Sequence, residues 1–240
     1  MKRFFELDAA RGVAVVAMVA FHALYDLNYF KGFGFDIYSG AFFALGRFAA
    51  LAFIFIVGIS LTLSYNRAKA GKILPRLFKK FLFRGARIFC LGLAITAFTL
   101  FFFPHSPILF GVLHFIGIAI ILAFPFVRKP TVSLFGGIAI IALGILVSSF
   151  SFNFPWLLWL GLAPENFFTF DYFPLLPWFG VVLFGIFAGN LFYSRGKRRF
   201  NIPNAGDFAP VRLLCSLGRN SLLIYFLHQP LLVALIYLLA

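Results

Sequence analysis

Residues 42–65 read FFALGRFAALAFIFIVGISLTLSY, 24 residues in which Arg47 is the only charge. A helix rises about 1.5 Å per residue, so about 20 residues cross the roughly 30 Å of bilayer hydrocarbon. This stretch is long enough to span and too apolar for the half-wetted surface of a water-soluble domain. Working outward, segments of the same character lie at 10–28, 85–103, 109–127, 132–150, 174–193 and 219–239. Pro104 and Pro107 flank a tight turn after the third span, Lys129-Pro130 marks another, and Pro174 and Pro177 open the sixth.

The whole composition agrees. The chain is 62% hydrophobic and 12% charged, with mean hydropathy +1.00, where soluble domains carry about 25% charged residues. Its 38 Phe have no place to hide in a water-soluble core of 240 residues. The fold class that follows is an all-α integral membrane protein, one polytopic domain over 1–240, a bundle of about seven transmembrane helices. The 21 Lys+Arg against 7 Asp+Glu would suit nucleic acid on a soluble chain. On this one they mark cytoplasmic loops, and no nucleic-acid partner is expected.

With seven crossings, Lys2 and Arg3 share one side with the cluster Arg67, Lys69, Lys72, Arg76, Lys79, Lys80 and Arg84. Arg128, Lys129, Arg195, Lys197, Arg198, Arg199 and Arg212 fall there too, whereas the opposite side holds Lys31, Asp36, Glu165 and Asp171. The positive-inside pattern predicts a multi-pass protein of the cell membrane, N-terminus cytoplasmic and C-terminus outside. The first span outruns a signal-peptide core and lacks a small-residue cleavage site before His22-Ala-Leu-Tyr-Asp26, which predicts a retained helix. Segment 151–173, with Trp156 and Trp159, is expected to be an outer interfacial or re-entrant piece. Cys90 and Cys215 offer neither a disulfide framework nor metal-ligand spacing, so no metal is expected.

Ionisable groups at bilayer depth cost at least about 2.5–3.5 kcal/mol, which makes each one a functional candidate. Arg11, His22 and Asp26 share one face of the first span, Arg11 about 16 Å below His22. The i,i+4 step places Asp26 to orient the His22 imidazole as a general base; a buried pair satisfying itself is the alternative. Arg47, near the outer end of span two, is a candidate to stabilise an oxyanion or to pair with Asp26. His114 opens span four near the same side. His228 and Gln229 precede Pro230, whose missing N–H frees a carbonyl that neighbouring polar groups can re-satisfy. On the basic side, Arg84 and Arg87 open span three, and Arg219 and Asn220 open span seven. Cations at helix starts suit phosphate or pyrophosphate, with topology signalling and anionic-lipid contact as the competing account. Gly185-Ile-Phe-Ala-Gly189 is a GxxxG that lets helices approach.

Four segments carry a family likeness. Leu7-Asp8-Ala-Ala-Arg11-Gly12 with Phe21-His22 and Tyr25-Asp26-Leu27 resembles the opening of the heparan-alpha-glucosaminide N-acetyltransferase catalytic-domain-like family. Gly111-Val-Leu-His114-Phe-Ile-Gly117, Pro174-Leu-Leu-Pro177-Trp178-Phe-Gly180 and Gly218-Arg-Asn-Ser221 through His228-Gln-Pro230 resemble it in the same order, over nearly the whole chain. The resemblance implies a transmembrane acyltransferase with acetyl-CoA, or a related acyl-CoA, as co-substrate. Arg11, Arg84, Arg87, Arg219 and Asn220 would then meet the donor on the cytoplasmic side. An envelope sugar or glycolipid would enter from outside, near Trp178 and His228. His22 with Asp26 would act as base and orienter, and Arg47 or His114 would face the oxyanion, with an acyl-histidine intermediate open. The eukaryotic enzymes place their reactive His in the loop after the first helix; residues 28–40 here contain none, so His22 takes that role by its depth and its Asp26 neighbour. A small polytopic transporter or proton-coupled carrier, using His22, Asp26, Arg47, His114 and His228 as a relay, is the alternative, and an assembly subunit a third. Membrane lipid is an expected partner, and homo-oligomerisation is left open.

Overall fold

The computed structural model describes residues 4–34, 36, 39–68, 73–150, 152, 155–165, 167–194, 197–203 and 205–238. Lys2, Arg3, Lys69, Lys72 and Arg195, which the topology expectation used, lie outside the described residues. The described chain is helical: α1 (Phe5–Lys31), α2 (Gly40–Ala68), α3 (Leu74–Phe102), α4 (Val112–Leu122), α5 (Pro130–Val147), α6 (Leu175–Phe192), α7 (Ala209–Arg219) and α8 (Ser221–Leu238). A two-residue ladder, Tyr193–Ser194 with Lys197–Arg198, follows α6. Six of the helices (α1, α2, α3, α5, α6 and α8) are long and apolar enough to cross a membrane.

Local chemistry sets the ends. Gly32, at φ 64°, closes α1 in the left-handed conformation and its N–H reaches the Asn28 carbonyl at 3.1 Å. Pro lies in the first turn of α3, α5 and α7, where its missing N–H costs nothing. In α6, Leu176 is extended (φ −93°, ψ 126°), so the regular helix starts at Pro177. Three boundaries differ from expectation. The third span was expected from residue 85, but α3 begins at Leu74 and carries its basic residues on the helix. The fourth was expected over 109–127, yet α4 is an 11-residue helix ending at Leu122, because Pro125 cannot donate to the preceding turn. The third difference is α7, an amphipathic helix that periodicity did not single out ahead of α8.

The chain divides into two compact units: Met1–Ile56 with Ile202–Ala240, and Val57–Asn201. In the first, α1 packs on α7 and α8. Gly12 and Gly218 make the α1–α7 contact a backbone one. A Cβ on Gly12 would strike the Leu214 carbonyl, and one on Gly218 would strike the Asp8 carbonyl. The Cys215 thiol, whose pKa burial and the Asp8 charge push up, donates to the Phe5 carbonyl at 3.2 Å. Farther along, α1 meets α8 through His22–His228, Asp26–Gln229 and Phe30–Tyr237. Residue numbers rise together along that line, so α1 and α8 run parallel.

In the second unit α3 pairs with α4, and α5 with α6. The α2–α6 contact is made at Gly58, where a Cβ would lie 2.8 Å from Gly185 Cα, and at Gly189, where one would lie 3.0 Å from Thr62. The GxxxG does bring helices together. Here too the numbering rises together, so α2 and α6 are parallel. The shared direction of α2 and α6 is what a passage through α4 would produce, although α4 is shorter than the six candidate spans. At one end, Asp171 accepts from the Val112 N–H of α4 (2.9 Å), and Leu175 and Leu176 donate to the carbonyls of Trp159 and Leu160. Segment 155–175 is therefore a docked cap, with Trp156 80% exposed at its rim.

Gly12→Val and Gly218→Val are each expected to cost roughly 1–3 kcal/mol, the range for forced over-packing. Thermal unfolding in detergent measures it, with Ala10→Val on the exposed face of α1 as the near-neutral control.

Candidate active site

Asp26 is 2% exposed, on an apolar helix. The i,i+4 spacing predicts that it orients His22, but the structure gives both groups other partners. Gln229 Nε2 donates to the two carboxylate oxygens of Asp26 at 2.8 and 3.0 Å. His22 Nδ1 lies 2.9 Å from the Met18 carbonyl, one turn back. A carbonyl only accepts, so Nδ1 carries the proton and Nε2 keeps the lone pair.

His228 repeats the arrangement. Its Nδ1 is 2.8 Å from the Tyr225 carbonyl and 3.2 Å from that of Ile224. The two imidazoles sit with centroids 4.9 Å apart at an interplanar angle of 71°. His228 is 7% exposed, and among the described residues neither its Nε2 nor Gln229 Oε1 has a donor. The cluster is thus rich in acceptors and short of donors. Such a place suits a ligand that brings O–H or N–H groups.

At the other end of α1, Arg11 pairs with Asp8 at 3.5 Å. Gly218 backs onto the Asp8 carbonyl there, so Arg219, which ends α7, belongs to the same end as Arg11. Asn220 caps α7, its N–H on the Ser216 and Leu217 carbonyls and its side chain on Ser216 O at 3.0 Å. Arg47 is exposed and lies over the Phe43 ring, 4.9 Å from its centroid.

The other expected site residues belong to the second unit. His114, 2% exposed, takes the opposite tautomer. The Gly111 N–H donates to its Nδ1 at 3.3 Å, which leaves Nε2 as an N–H toward Thr96 Oγ1 at 3.2 Å; that hydroxyl donates to the Ile108 carbonyl at 2.6 Å. Both ring nitrogens are engaged, and His114 works as the N-terminal cap of α4. Trp178 is buried, its ring 4.7 Å from that of Phe173. Arg84 and Arg87 lie well inside α3 rather than at its start, so no free helix N–H groups stand beside them, which corrects that premise. Tyr172, its phenol pushed up to about 12 by burial, donates to the Leu158 carbonyl at 2.7 Å. Residues that sequence reasoning passed over are Met18 and Thr96; Gln229 was noted only as a partner for the carbonyl freed by Pro230.

These contacts join the family-like segments in pairs: Asp8 and Gly12 meet Gly218, and His22 and Asp26 meet His228 and Gln229. The model of the family described as heparan-alpha-glucosaminide N-acetyltransferase, catalytic, matches residues 3–230. The chain belongs to that family. It is a multi-pass membrane protein of an acetyltransferase family, and the resemblance read from the four segments is correct. Neither curated proteins nor solved structures give a match to the chain.

Thr96→Val is expected to strand a buried His114 N–H and cost about 1–3 kcal/mol, with Thr96→Ser close to the native protein. Equal thermal midpoints for Val and Ser would contradict the assigned tautomer.

Proposed function

We propose that the protein transfers acetyl from acetyl-CoA to a hydroxyl or amine of an envelope sugar or glycolipid, with His22 as general base. The observation that carries this reading is the pair of imidazoles, each with Nδ1 on a backbone carbonyl, beside acceptors that lack a donor. Family membership supports acetyl transfer over the carrier alternative. Acetyl-CoA supplies the activated thioester. Among the described residues there is no cluster of three or more His, Cys, Asp or Glu that could hold a metal ion.

His22 Nε2 takes the proton of the acceptor's O–H or N–H as that atom attacks the thioester carbonyl. The Met18 carbonyl holds the ring and stays bonded to Nδ1–H throughout. Asp26, kept at depth by Gln229, lowers the energy of the imidazolium by its charge. Collapse of the tetrahedral adduct breaks the carbon–sulfur bond, and His22 returns its proton to the departing sulfur. His228 Nε2 and Gln229 Oε1 hold further donors of the acceptor. Arg47 is assigned to the oxyanion, and Arg11 and Arg219 with Asn220 to the donor phosphates. The positive-inside pattern supports a cytoplasmic basic side, and the proposal takes the cell membrane as the location.

His22→Ala should lower transfer of radiolabelled acetyl from acetyl-CoA by about 100-fold or more while thermal unfolding stays native. His228→Ala should raise the acceptor KM more than it lowers kcat. Arg11→Ala should weaken CoA binding by calorimetry about tenfold, the loss of one charged hydrogen bond. Undiminished transfer in the His22 variant would remove the base from this scheme.

A further inference from the structure

We propose that the N-terminal half of α3 is a docking surface for the phosphate headgroups of anionic phospholipid. The inference does not depend on acetyl transfer. Arg76, Lys80, Arg84 and Arg87 follow one another at steps of 4, 4 and 3 residues along one continuous helix, and all four are exposed. At about 100° per residue they fall within roughly a quarter of the circumference, with Lys79 at the edge of the stripe. Leu77, Phe81 and Gly85 are buried on another face of the same turns. Phe83, 63% exposed, borders the cations. Beyond the stripe the exposed surface of α3 is apolar, through Leu93, Phe98 and Phe101. The stripe therefore continues directly into a surface built for hydrocarbon.

Length places it. The 29 residues of α3 reach about 43 Å, more than the roughly 30 Å of hydrocarbon, and the surplus belongs to the basic end. Arg76 and Arg87 are about 16 Å apart along the axis. Long side chains on that stretch lay their stems on apolar surface and send their charges to the headgroup level. The geometry favours a row of separate headgroups over one nucleotide. The amides beside Arg84 and Arg87 are spent inside the helix, and cations strung along one side of a rod diverge instead of closing round a pyrophosphate.

The test uses the full chain in mixed micelles, titrated with phosphatidylglycerol or phosphatidylcholine and followed by thermal midpoint. The native protein should be stabilised by phosphatidylglycerol well beyond phosphatidylcholine. Arg84→Gln/Arg87→Gln should raise the phosphatidylglycerol needed for half-maximal effect roughly tenfold or more. Arg84→Lys/Arg87→Lys, which keeps the charges, should stay near native and guards against a mere folding defect. CoA calorimetry on the same variants should be unchanged. An unaltered phosphatidylglycerol response in the Gln variant overturns the proposal, and so does a loss of CoA binding, which would return these arginines to the donor. Failure of His22→Ala to affect transfer would leave this result untouched.

Discussion

One amide holds one carboxylate at membrane depth, and the first unit is arranged around that clasp. An isolated Asp in hydrocarbon costs at least about 2.5–3.5 kcal/mol, and Gln229 meets both oxygens of Asp26 from the neighbouring helix. The bond fixes more than charge. It sets the axial register of α8 against α1 and keeps the two parallel, and it brings His228 beside His22. A slip of one residue would rotate Gln229 by about 100° and strand the carboxylate. Because the clasp occupies Asp26, the imidazole of His22 is left to a backbone carbonyl, and its Nε2 keeps the lone pair.

The clasp needs close helices, and lipid gives no hydrophobic push between them, since acyl chains are as apolar as Leu. Contact area has to come from backbones that approach closely. Gly12 and Gly218 supply it at the lower end of α1, and Gly58 with Gly185 at the α2–α6 contact. In the first unit this leaves a simple division along α1. A glycine-paved contact with Asp8 and Arg11 lies at one end, and about 16 Å farther on lies a polar cluster with unmet acceptors. An ion pair of Asp8 with Arg11 and an imidazole whose Nε2 keeps its lone pair are thus mounted on one helix.

Much of this was legible in the sequence because bilayer physics is coarse. Length, hydropathy and basic asymmetry suffice for a helical bundle, and the shared face of Arg11, His22 and Asp26 follows from one continuous α1. What stayed hidden depends on partners distant in the chain. Spacing rules see Asp26 four residues from His22 and pair them; they cannot see Gln229, 203 positions away. The start of α3 was misplaced for a related reason. Hydropathy finds where a helix becomes apolar, not where it begins, so Arg76 to Arg84 read as a loop. The short α4 shows the reverse. The apolar run 109–127 read as one full span, yet only 11 of its residues form the helix, which ends ahead of Pro125.

Histidine chemistry makes the same point at atomic scale. His22, His114 and His228 look alike in sequence, each in an apolar helix near a polar neighbour. The backbone separates them. Where Nδ1 meets a carbonyl, as in His22 and His228, the ring must donate there and Nε2 retains its lone pair. Where Nδ1 meets an N–H, as in His114, the lone pair is consumed and Nε2 becomes a donor to Thr96. The first arrangement leaves a proton acceptor at Nε2 and the second makes a cap. Position in the helix decides which one forms. His114 sits in the first turn of α4, where unbonded N–H groups seek acceptors. His22 and His228 sit mid-helix, where a ring can reach back only to carbonyls of the preceding turn. A histidine deep in a membrane helix, flanked by small or aromatic residues, is thereby directed toward the tautomer that general-base chemistry needs.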